Sequence, residues 1–173
     1  MRILRGLSLV LGLLALGAVG RAEPLAVGAK APAVTATTES GAKLDLGAAY
    51  ARGYTLVYFF PMAGAHDDMV EAASLAAATK DLAAKGVTVI GVSVDDPATL
   101  KAFKEKNELP FMLIADVDHA VTKAFGVPLS EEWGGGPRAM RQSFLVDKNG
   151  LIIWRTLNAS LKDQPAEVLK ALE

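Results

Sequence analysis

The chain has 173 residues, 51% of them hydrophobic, a formal net charge of −1 and no cysteine. That length supports one compact core and is short for two ordinary domains. A near-neutral balance without a Lys/Arg cluster leaves no electrostatic footprint for nucleic acid, and the lack of any sulfhydryl excludes thiol chemistry and disulfides by this chain.

Residues 1–22 differ in kind from the rest. Arg2 and Arg5 lead into an apolar run over 7–19, and Gly20, Arg21 and Ala22 follow it. This order predicts a secretory signal peptide cleaved before Glu23. The run is shorter than the ~20 residues a spanning helix needs, so no stable membrane anchor is expected after cleavage. Loss of Arg2, Arg5 and Arg21 moves the charge to −4. The expected destination is the periplasm for a Gram-negative source and the medium otherwise, with 23–173 as a single domain.

Past a Pro/Gly/Ala-rich lead-in, residues 33–47 alternate apolar and polar around Ser40-Gly41, which predicts a hairpin. Residues 54–60 (YTLVYFF) read as a buried strand stopped by Pro61. A helical spacing over 67–85 ends at Gly86, and 87–94 (VTVIGVSV) is a second apolar strand. Pro97 opens a helix to about Asn107; 111–116 is a strand and 118–126 contains a short helix. Two strands flank Asn149-Gly150, and Pro165 opens a last helix over 164–172. Strand-helix alternation followed by an antiparallel hairpin and a helix predicts a thioredoxin-like α/β fold, a central mixed sheet flanked by helices with an N-terminal β-hairpin extension.

The stretches 54–61 (YTLVYFFP), 87–127 and 141–154 (RQSFLVDKNGLIIW), in this order and spacing, resemble the peroxiredoxin family of alkyl hydroperoxide reductase C/thiol-specific antioxidant type, and its bacterioferritin-comigratory or Q-type branch in particular. The resemblance runs from about Val27 to Leu172. It implies a thioredoxin-dependent peroxidase whose site carries a proline, a hydroxyl residue, a peroxidatic cysteine and a later arginine. On this chain those positions fall at Pro61, Ala65, Asp68 and Arg141, and the resolving cysteine of many Q-type members falls at Ala73. The nucleophile, the hydroxyl and the resolving thiol are therefore missing. A carboxylate has no sulfenic-acid counterpart that a reductant could recycle.

Asp68-Met69-Val70-Glu71 also fits a capping box, with Asp68 accepting a backbone N–H and Glu71 reaching back. Asp68 can at the same time replace the thiolate charge beside Arg141 and the helix N-terminus, which predicts an ionised carboxylate with a lowered pKa. His66, Asp67 and Asp68 invite a metal or acid/base reading with Asp95, Asp96 or Asp116-Val117-Asp118-His119, but the spacing fits no ligand pattern, and Asp116 and Asp118 read as caps. Gly134-Gly135-Gly136-Pro137 reads as a flexible loop, Ser143 has no nearby histidine, and Trp133 and Trp154 read as packing residues. Asn158-Ala159-Ser160 is a sequon that matters only where the source glycosylates.

These readings predict a cysteine-less, peroxiredoxin-like binding or interaction module with no catalytic residue, cofactor or metal. Its partner would be a protein or small molecule, and the chain itself a monomer or weak dimer. Two alternatives stay open: peroxide reduction through a cysteine-bearing partner, and metal or acid/base activity using His66, Asp67 and Asp68.

Overall fold

The computed structural model describes residues 23–173; the expected signal peptide at 1–22 lies outside the described residues. β1 (Thr35–Thr37) and β2 (Lys43–Asp45) pair antiparallel and turn through Gly41 at φ +81°, the expected hairpin. Asp45 then caps α1 (Leu46–Tyr50), accepting the Ala48 N–H at 3.1 Å. This five-residue helix was not predicted, being too short to show a period.

β3 (Tyr54–Phe59) is the axis of a five-stranded sheet. Behind it run α2 (His66–Ala77), α3 (Thr79–Ala84), β4 (Val87–Ser93), α4 (Pro97–Lys106), β5 (Met112–Ala115), α5 (Ala120–Ala124), β6 (Leu129–Ser130), β7 (Arg138–Ala139), β8 (Gln142–Val146), β9 (Ile152–Thr156) and α6 (Gln164–Lys170). The strand order is β5-β4-β3-β8-β9. β3, β4 and β5 are parallel, while β8 pairs antiparallel to β3 and β9 antiparallel to β8. With helices on both faces, this is the thioredoxin-like architecture expected.

Both faces of β3 are buried, which is why it reads as an unbroken apolar run. Val57 and Phe59 face a core shared with Tyr50, Val121, Phe125 and Phe144, and so lie under α1 and α5. Leu56 and Tyr58 face the other core, closed by Leu75, Leu82, Leu100, Phe103 and Val168 from α2, α3, α4 and α6.

Three expectations need correction. The single helix over 67–85 is two, broken at Ala78, where the Thr79 hydroxyl donates to the Leu75 carbonyl at 3.0 Å and bends the chain. The glycine loop is the turn of a small hairpin, β6 with β7, in which Gly134, Gly135 and Gly136 all take positive φ. Trp133 on that turn is exposed, whereas Trp154 packs against the core.

Gly91 of β4 lies between Tyr58 of β3 and Leu113 of β5. A Cβ there would sit 2.9 Å from the Tyr58 ring and 2.6 Å from a Leu113 methyl. Gly91→Ala should therefore destabilise the fold by about 1–3 kcal/mol through overpacking. A denaturation midpoint equal to the parent's would show that the ring and methyl yield freely.

Candidate functional site

The site forms where β3 ends. Phe60 still bonds to the Val92 carbonyl, Pro61 stops the strand, and residues 61–65 turn into α2. A turn at this place leaves backbone N–H groups without strand partners, and they must be met by other acceptors. Two carboxylates meet them. The Met62 N–H donates to Asp68 Oδ2 at 3.0 Å and the Ala63 N–H to Asp95 Oδ2 at 2.7 Å.

Each carboxylate is backed by an arginine from the segment leading into β8. Arg138 reaches Asp95 at 2.5 Å, and Arg141 Nη2 lies 2.7 Å from Asp68 Oδ1. Arg141 Nη1 donates to Glu71 Oε2. Asp68 and Glu71 share one face of α2 because they are three residues apart. Their side chains are 1% and 0% exposed and that of Arg141 16%. Below them the Tyr58 hydroxyl is buried without a hydrogen-bond partner.

Two buried acids around one guanidinium leave a surplus negative charge, and burial penalises it. Burial raises Glu71 to about 7 against the pull of Arg141. It also raises Asp68, with Arg141 and the Met62 N–H opposing and Asp67 adding to the rise. The lowered pKa expected for Asp68 is thus overturned, because Arg141 is visible in the sequence and the depth of Asp68 is not. Burial, then the Glu71 and Asp68 charges, pushes the Tyr58 phenol well above its usual range.

The capping box is also corrected. α2 starts one turn earlier than that motif requires, at His66, with Ala65 as a cap that offers no side-chain bond. Asp68 reaches back to the turn and Glu71 reaches Arg141, so neither caps the helix. Asp116 does act as expected, accepting the Val121 and Thr122 N–H groups at 2.9 and 2.7 Å, and Asp118 accepts that of Ala120.

The structure brings Pro61, Asp68 and Arg141 together, with Ala65 at the start of α2. It leaves Ala73 exposed on the outer side of that helix. His66 and Asp67 point to solvent while Asp68 turns inward, so the three do not converge. Among the described residues no group of three or more His, Cys, Asp or Glu is placed to hold a metal ion. Ser143 accepts from Gln164 within the core. Sequence reasoning missed Tyr58 and Arg138 as parts of the site, and gave Glu71 the wrong partner.

The AhpC/TSA family pattern matches residues 27–155. The chain belongs to that family, in the Bcp/Q branch of the peroxiredoxins. It is 32% identical over 149 residues to Peroxiredoxin Bcp of Bacillus subtilis, covering 85% of this chain and 94% of the relative. It is 35% identical over 132 residues to Peroxiredoxin Bcp of Escherichia coli K12, covering 75% and 84%. In fold it is similar to Peroxidoxin BcpB of Mycobacterium tuberculosis, with a TM-score of 0.79 at 20% identity over 84% of this chain and 95% of that one. This peroxiredoxin family member has no cysteine anywhere in its sequence.

A carboxyl whose folded pKa is raised contributes stability that is full below its unfolded value and lost as pH rises through the folded one. For Glu71 that window runs from 4.5 to about 7. Glu71→Gln should flatten the loss, improving the variant relative to the parent by on the order of 3 kcal/mol between acid and mildly alkaline pH. For Asp68→Asn the same sign holds, its relative cost shrinking as pH rises. Denaturant unfolding across this range checks both, and parallel pH profiles for the parent and Glu71→Gln would contradict the assignment.

Proposed function

We propose that this chain is an exported peroxiredoxin-type scaffold without thiol peroxidase activity, acting as a binding or interaction module. The observation that carries the reading is that Arg141 is held by Asp68 and Glu71 in a protein with no cysteine. In this reading Asp68 stands at the peroxidatic position, Ala65 at the hydroxyl position and Ala73 at the resolving position, while Pro61 and Arg141 are retained.

Thiol-dependent turnover needs a sulfur that takes an oxygen from the peroxide and returns it to a reductant as water. Asp68 cannot take that oxygen. The guanidinium that would steady the peroxide is paired twice within the chain, and two N–H groups of the turn are occupied as well. What supports a binding role is a family scaffold whose turn is intact and bonded to the chain's own carboxylates. The leader pattern at 1–22 supports export, and the partner would be a protein or small molecule met outside the cytoplasm.

The full chain should reduce neither hydrogen peroxide nor an alkyl hydroperoxide with any thiol donor above a blank; turnover that survives removal of contaminating peroxidases would overturn the reading. Asp68→Cys with Ala65→Thr tests the alignment of the turn. The helix start and Arg141 should lower the thiol pKa, and the hydroxyl should align the peroxide, where misplacement costs on the order of 100-fold. A sulfenate should then form faster than on free cysteine, with water as the other product. A folded double variant no faster than free cysteine would contradict the placement of Asp68.

A further inference from the structure

β1 is paired along one edge only. β2 takes that edge, and the other meets β5 through the single Thr38–Ile114 bridge, beyond which no ladder continues. Glu39 pins the bridge: its N–H donates to the Leu113 carbonyl at 2.9 Å, its carboxylate accepts the Leu113 N–H at 2.9 Å, and Lys104 Nζ closes on the same carboxylate at 2.6 Å. From that fixed point β1 and the chain following β5 diverge, and a cleft of about 370 Å³ opens between them. An unpaired strand edge of this kind is a template for an added strand.

Residues 35–37 and Lys43 form one wall and residues 115–118 the other, with the buried Ala36 and Val121 at the base. The two walls carry opposite charges. Lys43 Nζ donates to Thr37 Oγ1 at 2.8 Å and has no acid within ion-pair distance among the described residues. Thr37, accepting that bond, keeps its own hydrogen to donate. On the facing wall Asp118 Oδ1 accepts the Ala120 N–H at 3.1 Å, and its second oxygen takes no bond from the described residues. Beside it Val117 is 56% exposed, apolar surface that stays wet unless something covers it.

We propose that this cleft binds a short peptide with free termini, laid against the open edge of β1 with its carboxylate at Lys43 and Thr37, its ammonium at Asp118 and an apolar side chain on Val117. β1 is three residues long, about 10 Å of strand, which sets the length of ligand it can pair. Main-chain bonds to the edge give affinity with little regard to sequence, and the two charges select chains short enough to present both termini. A longer segment meets only one of them. This gives the proposed binding role a ligand, and it stands on residues apart from the Asp68–Arg141 site. Peroxidase turnover would leave it intact, and failure to bind peptide would leave the lack of peroxidase activity intact.

Backbone amide NMR of the full chain, titrated with trialanine, tests it. The signals of 35–37 and 115–118 should shift and saturate, with a Kd on the order of 0.1–1 mM for a ligand of this size. Acetylating the peptide's amine or amidating its carboxylate should each weaken binding on the order of tenfold. Lys43→Gln should weaken trialanine by the same factor and become indifferent to amidation, while Asp118→Asn should do so and become indifferent to acetylation. Both side chains are exposed, so both variants should fold as the parent does. No saturable shift up to about 10 mM trialanine, equal affinity for the doubly capped peptide, or shifts confined to residues outside the cleft would overturn the proposal.

Discussion

The guanidinium of Arg141 between two buried carboxylates is the interaction on which the site depends. Neither acid would be tolerated ionised at this depth without the guanidinium, and removing Arg141 would cost about 3–5 kcal/mol because it strands both. The pairing needs Asp68 and Glu71 on one face of α2, which needs the helix to begin at His66. That start in turn needs a fixed turn over 61–65, and Asp68 itself fixes it through the Met62 N–H. Cause and consequence close on each other within a few residues.

The sheet supplies what the cluster cannot. β3 is buried on both faces and paired on both edges, so its carboxyl end is a rigid platform, and the loops following β3 and β4 meet there. Arg138 and Arg141 leave β7 and approach β8 three residues apart, with Met140 held between them by its bond to the Pro128 carbonyl. Each arginine finds an acid that holds one N–H of the turn. The result is a site that is electrostatically occupied by its own chain, in a family whose relatives bear the name peroxiredoxin.

What was legible in the sequence follows from how local each signal is. The apolar runs of β3 and β4, the Asn149-Gly150 hairpin and the proline-opened α4 and α6 carry their cause within a few residues, and all appear as expected. The break at Ala78 was hidden in an alanine-rich run with no stop signal. Asp68-x-x-Glu71 suited a capping box and a pair of inward ligands equally well, because both use a three-residue spacing. Only the place of Arg141 in space separates them. The direction of the Asp68 shift was illegible for a related reason: a sequence names neighbours in charge and is silent on depth.

The central claim is that Arg141 is committed to this chain's own carboxylates. It is tested most directly by following the arginine side-chain N–H resonances of the full chain by NMR while inorganic phosphate is added at mildly acidic pH. The account predicts that the Arg141 signals exchange slowly with solvent and do not move, since the guanidinium is paired with Asp68 and Glu71. A saturable shift of the Arg141 signals on addition of phosphate would show a guanidinium open to an external anion and would contradict it.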